Sequence, residues 1–174
     1  MVTNLLIAGL PRSGKTTLIK KIIDVDAIGK NARGFLTEEF REEGQRIGFH
    51  VITVPERKKG LLSRKGLPSP YNVGAYAVNI DVLEDLGCQA ILEAIKTNKI
   101  IIVDEIGKME LFSEKFRKSL NKALDSRQKV LATIMERPNV FADGIKKRPD
   151  VRVLYLTRKN FGDVFQEVMN WLDN

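Results

Sequence analysis

The chain has 174 residues, 43% hydrophobic and 29% charged; those proportions exclude a disordered chain and fit one domain, or one domain with an insertion. No apolar run approaches the roughly 20 residues that span a bilayer, and the single cysteine, Cys88, excludes an internal disulfide, so a cytoplasmic protein without membrane association is expected. The charge is +7, but its basic residues are scattered apart from small groups such as Arg57-Lys58-Lys59 and Lys146-Lys147-Arg148; with no nucleic-acid motif or aromatic platform beside them, an anionic nucleotide is favoured over a nucleic acid as partner.

Residues 2–8 form a short apolar run suited to a buried strand, without the basic leader or cleavage site of a signal peptide. Directly after it, Gly9-Leu10-Pro11-Arg12-Ser13-Gly14-Lys15-Thr16 matches G-x-x-x-x-G-K-[ST], the phosphate-binding P-loop, without a mismatch. Apolar residues at helical spacing follow from Thr16 to Ile23. Strand, glycine-rich loop and helix is the order the chemistry requires, because successive N–H groups and the positive end of the helix dipole converge on an anion. Gly9 and Gly14 let the backbone approach phosphate oxygens with no Cβ in the way. Lys15 would bridge the β- and γ-phosphates and the Thr16 hydroxyl would hold Mg²⁺.

The first helix should fade near residues 24–29. Residues 33–40 and 47–54 read as strands joined by a turn at 42–46, a hairpin. Residues 55–70 are basic and rich in Gly and Pro, with only a short possible strand at 61–63, and read as a mobile loop over one edge of the site. Residues 75–79 complete a β-rich insertion, so the chain is expected to be one domain, 1–174, with an insertion at about 33–80. A helical pattern runs from about 81 to 97, with Gly87 weakening its middle so that two shorter helices are possible. The continuous β-branched run Ile100-Ile101-Ile102-Val103 marks a strand buried on both faces of a parallel sheet. A helix at 112–126 started by Ser113 and Glu114, a strand at 130–134, a short helix at 138–147, a strand at 151–156 and a helix at 161–172 complete the chain.

Strands alternating with helices predict an α/β fold: a three-layer P-loop NTPase fold with a mostly parallel central sheet, helices on both faces and a β-hairpin insertion. Ligands of such sheets sit beyond the carboxyl ends of the strands. That rule gathers Thr37-Glu38-Glu39, Asp104-Glu105, Thr133 with Glu136-Arg137, and residues 157–160 around the P-loop. Asp104-Glu105 after the apolar run is a Walker B pattern. Asp104 would organise Mg²⁺, and Glu105 would accept a proton from, or orient, a water attacking the γ-phosphorus. Nucleotide contacts are expected from Gly9, Leu10, Pro11, Arg12, Ser13, Gly14, Lys15, Thr16 and Thr17, and from Ile101, Ile102, Val103, Asp104, Glu105, Ile106, Gly107 and Lys108; the metal is assigned to Thr16 and Asp104, and catalysis to Glu105, Lys15 and Arg137.

The P-loop, the strand Gly34-Phe35-Leu36-Thr37-Glu38-Glu39, the hairpin segment Arg46-Ile47-Gly48-Phe49 and above all the block Asp104-Glu105-Ile106-Gly107-Lys108-Met109-Glu110-Leu111 resemble the thermophile-type nucleoside-triphosphatase family. That family is related to the cancer-related nucleoside-triphosphatase of animals, and the resemblance covers nearly the whole chain. It implies Mg²⁺-dependent hydrolysis of several nucleoside triphosphates to diphosphate and phosphate, with weak base selectivity. It also implies an AAA/RecA-like core sheet with an added β insertion. High charge and few Cys or Gln would suit a heat-adapted host.

Around these motifs the sequence leaves alternatives. Arg137 is the first candidate for a cis arginine finger on the γ-phosphate, with Arg12, Arg41 and Arg46 competing and a surface arginine as the default for each. Thr133 is either a polar sensor or a core threonine. Lys108 either serves the phosphates or caps the helix that follows. His50, alone on an alternating strand, and Cys88, in a helical stretch, read as structural; Phe161, Phe165 and Trp171 at helical spacing read as core. A P-loop kinase, or a nucleotide-dependent switch acting on protein or RNA, competes with hydrolysis, whereas a Ras-like GTPase is disfavoured because Thr157-Arg158-Lys159-Asn160 ends in the wrong residue to read guanine. A monomer is expected.

Overall fold

The computed structural model describes residues 2–174. Its order is β1 (Asn4–Gly9), α1 (Lys15–Ile23), α2 (Asp26–Gly29), β2 (Ala32–Glu42), β3 (Gln45–Val54), β4 (Lys59–Lys65), β5 (Asn72–Val73), β6 (Tyr76–Val78), α3 (Ile80–Val82) running through a π-helical stretch (Leu83–Cys88) into α4 (Gln89–Lys96), β7 (Ile100–Ile106), a 3-10 turn (Glu110–Phe112), α5 (Glu114–Leu124), β8 (Val130–Met135), α6 (Val140–Lys146), β9 (Val151–Tyr155) and α7 (Phe161–Asp173).

All the strands join one sheet in the order β5-β6-β4-β3-β2-β7-β8-β1-β9. The half from β2 to β9 is parallel, and the half from β2 to β5 is antiparallel. Alternation along the parallel strands divides the core into two layers. Leu6, Ala8, Ile101, Val103, Val130, Ala132 and Ile134 face Leu83, Ile91, Phe116, Leu120 and Ile145 from the helical stretch 80–96, α5 and α6. Their neighbours Leu5, Ile7, Ile102 and Leu131 face Leu18, Ile19 and Ile22 of α1 and Val164 and Val168 of α7. Period-two side chains on a sheet with helices on both sides give the three-layer α/β fold expected of the sequence.

β2 belongs to both halves. Ala32 to Phe35 pair in parallel with β7, while Gly34 to Glu42 pair antiparallel with β3. The hairpin turns at Glu43-Gly44, both at positive φ (50° and 76°), as a two-residue turn matched to strand twist requires. The segment 55–70 departs from the mobile loop expected of it: Lys59–Lys65 is a strand paired to β3 and β6. Its inward Leu62 and Ser63 are buried while Lys59, Arg64 and Lys65 are exposed, so its basic composition reports only the solvent side of a half-buried strand. The helix over 80–96 is continuous. Gly87 does not divide it; it lies against the Phe35 ring, where a Cβ would come within 3.2 Å of a ring carbon, and the helix widens there into a π turn. β7 runs past Val103 to Ile106, and its regular pairing with β8 is interrupted between those residues. The Val54–Pro55 and Asp104–Glu105 peptides are cis.

At the amino ends of the strands, away from the P-loop, Asn4 donates to the Leu124 carbonyl at 3.1 Å and to Asp150 at 3.0 Å. Arg148 ties Asp150 to Asp125 at 2.8 and 2.7 Å, locking α5 to the strand bases. Among the described residues no helix is long and apolar enough to cross a membrane.

Candidate active site

Residues 10–14 turn between β1 and α1 with Arg12 (φ 66°) and Gly14 (φ 102°) in the left-handed region, and Ser13 N–H closes the turn on the Leu10 carbonyl at 3.1 Å. At Gly14 such a φ disfavours any Cβ. No acid lies in the first turn of α1, so its dipole and free N–H groups face the loop uncompensated. Lys15, only 7% exposed, folds its ammonium over the loop: Nζ donates to the Gly9 and Leu10 carbonyls at 2.9 and 3.3 Å and lies 3.9 Å from Glu105 Oε1.

Asp104 is fully buried. The Thr133 hydroxyl on β8 donates to its Oδ1 at 2.6 Å. The Thr16 hydroxyl donates to Oδ2 at 2.8 Å, and Thr37 on β2 approaches the same oxygen through both its N–H and its hydroxyl at 3.4 Å. Burial raises the carboxyl above its ordinary range, while these donors and Lys15 pull it back. Beside it, burial raises Glu105, opposed by Lys15 and reinforced by Asp104. Glu110 on the 3-10 turn is 5% exposed, and burial, with Glu105 next in order, pushes its carboxyl up to about 8. A Cβ placed on the intervening Gly107 would lie 3.1 Å from Glu110 Oε2 and 3.6 Å from Glu105 Cδ, so the two carboxyls flank one glycine.

These groups border a cavity of about 800 Å³ lined by Gly9 to Arg12, Gly14 to Thr17, Lys20, Thr37 to Glu39, Glu105, Gly107 to Glu110 and Met135 to Arg137 on one side, and by Arg46, Phe49, Leu62, Val73, Gly74 and Tyr76 on the other. The structure thus brings together the P-loop, Glu105 and Arg137, with Asp104 reached through Thr16. Ser13 lies outside the lining, its hydroxyl buried and unpaired. Ile101, Ile102, Val103 and Ile106 are fully buried in the sheet and carry Asp104-Glu105 without lining the cavity. Residues 157–160 do not reach it either. Asn160 Oδ1 accepts from the Thr157 N–H and hydroxyl at 2.7 and 3.0 Å, so the loop closes on itself. Of the arginine candidates, Arg41 is turned away on the hairpin, bound to Glu39 and the Gly44 carbonyl, whereas Arg12, Arg46 and Arg137 line the cavity.

Sequence reasoning missed Lys20, which meets Glu38 at 2.6 Å, and Glu110, although Glu110 stood inside the block that carried the family resemblance. It missed Leu62, Val73 and Tyr76, which no local pattern marks, and gave no role to Phe49 and Met109, which stood inside the segments that carried the family resemblance. His50 packs on Phe40 with ring centres 4.4 Å apart. Cys88 is buried and its thiol is pushed up to about 11 by burial, so it carries no reactive thiolate.

Among the described residues no group of three or more His, Cys, Asp or Glu side chains closes into a metal cage. The donors next to Lys15 are hard oxygens, Thr16 Oγ1 and the Asp104 carboxylate; that set suits a small hard cation that keeps most of its water, and it does not suit a thiophilic metal.

A glycine-rich loop between a central strand and a helix, facing acidic residues on β7 across the intervening β8, defines a P-loop NTPase fold. The profile of the NTPase family matches residues 4–169, and the chain belongs to that family. It is 46% identical over 168 residues to the nucleoside-triphosphatase THEP1 of Thermotoga sp. strain RQ2, covering 97% of this chain and 94% of that protein. The crystal structure of THEP1 from the hyperthermophile Aquifex aeolicus superposes with a TM-score of 0.87 at 38% identity over 98% of this chain and 99% of that one. The solution structure of a human cancer-related nucleoside triphosphatase gives 0.83 at 33% identity over 97% and 96%.

Proposed function

We propose that the protein hydrolyses nucleoside 5′-triphosphates to diphosphate and phosphate with Mg²⁺ and weak base selectivity. The observation that carries this reading is the convergence of Lys15, Thr16, Asp104 and Glu105 at the mouth of one loop, with Lys15 Nζ 3.9 Å from Glu105 and Thr16 Oγ1 2.8 Å from Asp104.

The N–H groups of Gly14, Lys15 and Thr16, which open α1 without an intrahelical partner, receive the β- and γ-phosphates, and Lys15 exchanges carbonyl partners for phosphate oxygens. Thr16 and Asp104 are the residues that would hold Mg²⁺, which when bound neutralises phosphate charge. Three threonines keep Asp104 oriented without screening by solvent. Glu105 stands next to the γ end with a third of its side chain exposed, so a water can reach it and pass it a proton as the γ-phosphorus is attacked. Arg137, Arg12 and Arg46 are the cations lining the cavity that could balance charge developing there. In line with weak base selectivity, the loop 157–160 does not line the cavity, and its Thr157 and Asn160 side chains bond to each other and to the Tyr155 carbonyl.

The test is phosphate release from ATP, GTP, CTP and UTP with Mg²⁺ and with EDTA, in the parent protein and in Glu105→Gln. Turnover of all four within about tenfold, loss with EDTA and a drop of roughly a hundredfold or more in Glu105→Gln are expected. Full single-turnover release by Glu105→Gln would remove Glu105 from the proton transfer.

A further inference from the structure

Water is a small acceptor, at about 30 Å³ per molecule, and the cavity is far larger than water and a triphosphate tail require. Its shape has a direction. Lys15 sits on α1 after β1, and Glu105 and Asp104 lie on β7, two strands along, with Thr37 beyond them on β2. A triphosphate seated on the P-loop therefore points its γ end toward β2, with its sugar and base trailing the other way. Continuing past the γ end, β3, β4, β5 and β6 supply Arg46, Phe49, Leu62, Val73 and Tyr76 to the same cavity.

This wall is built from aromatic rings around one guanidinium. The Arg46 guanidinium lies 5.3 Å from the ring centres of both Phe49 and Tyr76. The two rings meet edge to face at 5.7 Å, and Arg46 Nε donates to the Tyr76 hydroxyl at 2.9 Å. Buried Leu62 lines the same cavity. Aromatic faces with a stacked guanidinium recognise planar electron-rich rings. At its margin the Glu39 carboxylate and Arg46, 3.7 Å apart, offer an acceptor beside donors, which the edge of a nucleobase uses and a hydrocarbon ring does not.

We propose that this wall is a second subsite that seats a nucleoside, with its base against Arg46, Phe49 and Tyr76 and a hydroxyl turned to the γ-phosphate, and that the protein transfers the γ-phosphoryl group to that hydroxyl. The nucleoside oxygen forms a bond to the γ-phosphorus and the bond from that phosphorus to the β-bridging oxygen breaks. The nucleoside diphosphate leaves and the hydroxyl proton passes to the Glu105 carboxylate. The proposal rests on the triphosphate site described above, and water is the acceptor when no nucleoside is seated.

The experiment incubates the protein with Mg²⁺ and γ-labelled ATP together with adenosine, guanosine, cytidine, uridine or thymidine, and resolves labelled nucleoside monophosphate from labelled phosphate. Monophosphate from at least one nucleoside is expected. Its ratio to free phosphate should fall about tenfold in Phe49→Ala and in Tyr76→Ala, the size of one lost stacking contact, and less in Tyr76→Phe, which keeps the ring. Thermal melts of each variant show that it is folded. Phosphate release without monophosphate from any of the five overturns the subsite and leaves the hydrolytic reading standing. So does a product ratio in the variants equal to the parent's, or an acceptor-free KM for ATP raised about tenfold in both alanine variants, which would give the wall to the base of the triphosphate. Absence of phosphate release as well overturns the hydrolytic reading itself.

Discussion

Three threonine side chains from three different elements hold Asp104, and each is a separate lever on a buried carboxylate. Thr133→Val keeps the shape and removes the donor 2.6 Å from Oδ1, leaving a buried charge under-bonded. A loss of about 1–3 kcal/mol is expected in urea unfolding, and an unchanged midpoint would show that Oδ1 finds another donor. Glu110 bears on pH. Its carboxyl gives up its proton near 4.5 in the unfolded chain and near 8 in the folded one. Between those values the native state carries the extra proton, so stability is greatest on the acid side and falls as pH rises toward 8, by about 1.4 kcal/mol per unit of separation at most. Asp104 and Glu105 are raised as well and add to the same slope. Glu38 and Glu39 are lowered by Lys20 and Arg41 and act below this window. Glu110→Gln, neutral throughout, should flatten the fall in melting temperature between pH 5 and 8; parallel profiles for parent and variant would exclude Glu110 as its source.

At the scale of elements, β2 couples the two halves of the sheet, and that coupling passes through Gly34. Its φ is +142°, and a Cβ there would lie 1.9 Å from the Ile102 carbonyl oxygen on β7, a backbone atom that cannot move aside. Gly34→Ala should therefore force β2 from β7 and cost more than about 2 kcal/mol. Gly44 in the hairpin turn also has positive φ but faces open space, so Gly44→Asn, which tolerates that region, should cost less than about 1 kcal/mol. Thermal melts of the two variants compare them directly. Equal losses would mean that the contact with β7 relaxes. Because Thr37 and Glu38 ride on β2, displacement of this strand should also weaken the grip on Asp104.

For the whole molecule, the site joins the two layers of the core: α1 packs on one face of the sheet, the Glu110 turn follows β7, and the antiparallel half closes the far side. A bound triphosphate should therefore stabilise the entire fold. A non-hydrolysable ATP analogue with Mg²⁺ at 100 times its Kd is expected to add about 2.7 kcal/mol to unfolding. Lys15→Ala should lose most of that gain, since the variant removes the ammonium from the phosphates. A full ligand-induced shift in Lys15→Ala would place the phosphates somewhere other than residues 9–16.

The sequence alone determined the parts built from neighbours in the chain. A P-loop is eight consecutive residues, a Walker B strand is an apolar run with two acids, and parallel α/β order shows in alternating patterns of period two and 3.6; each follows from local backbone geometry. Strand order, register and the path of loops depend on contacts between residues far apart in sequence, and only the tertiary structure decided them. It drew Lys59–Lys65 into the sheet despite a loop-like composition, closed residues 157–160 on themselves, and left Arg41 outside the site. It brought Glu110 back beside Glu105 across Gly107. It also set Arg46, Phe49 and Tyr76, from strands β3 and β6, against one another; Arg46 and Phe49, three apart, would face opposite sides of a regular strand, and the irregularity in the β2–β3 register, which leaves Ile47 as an extra residue, lets them share one side.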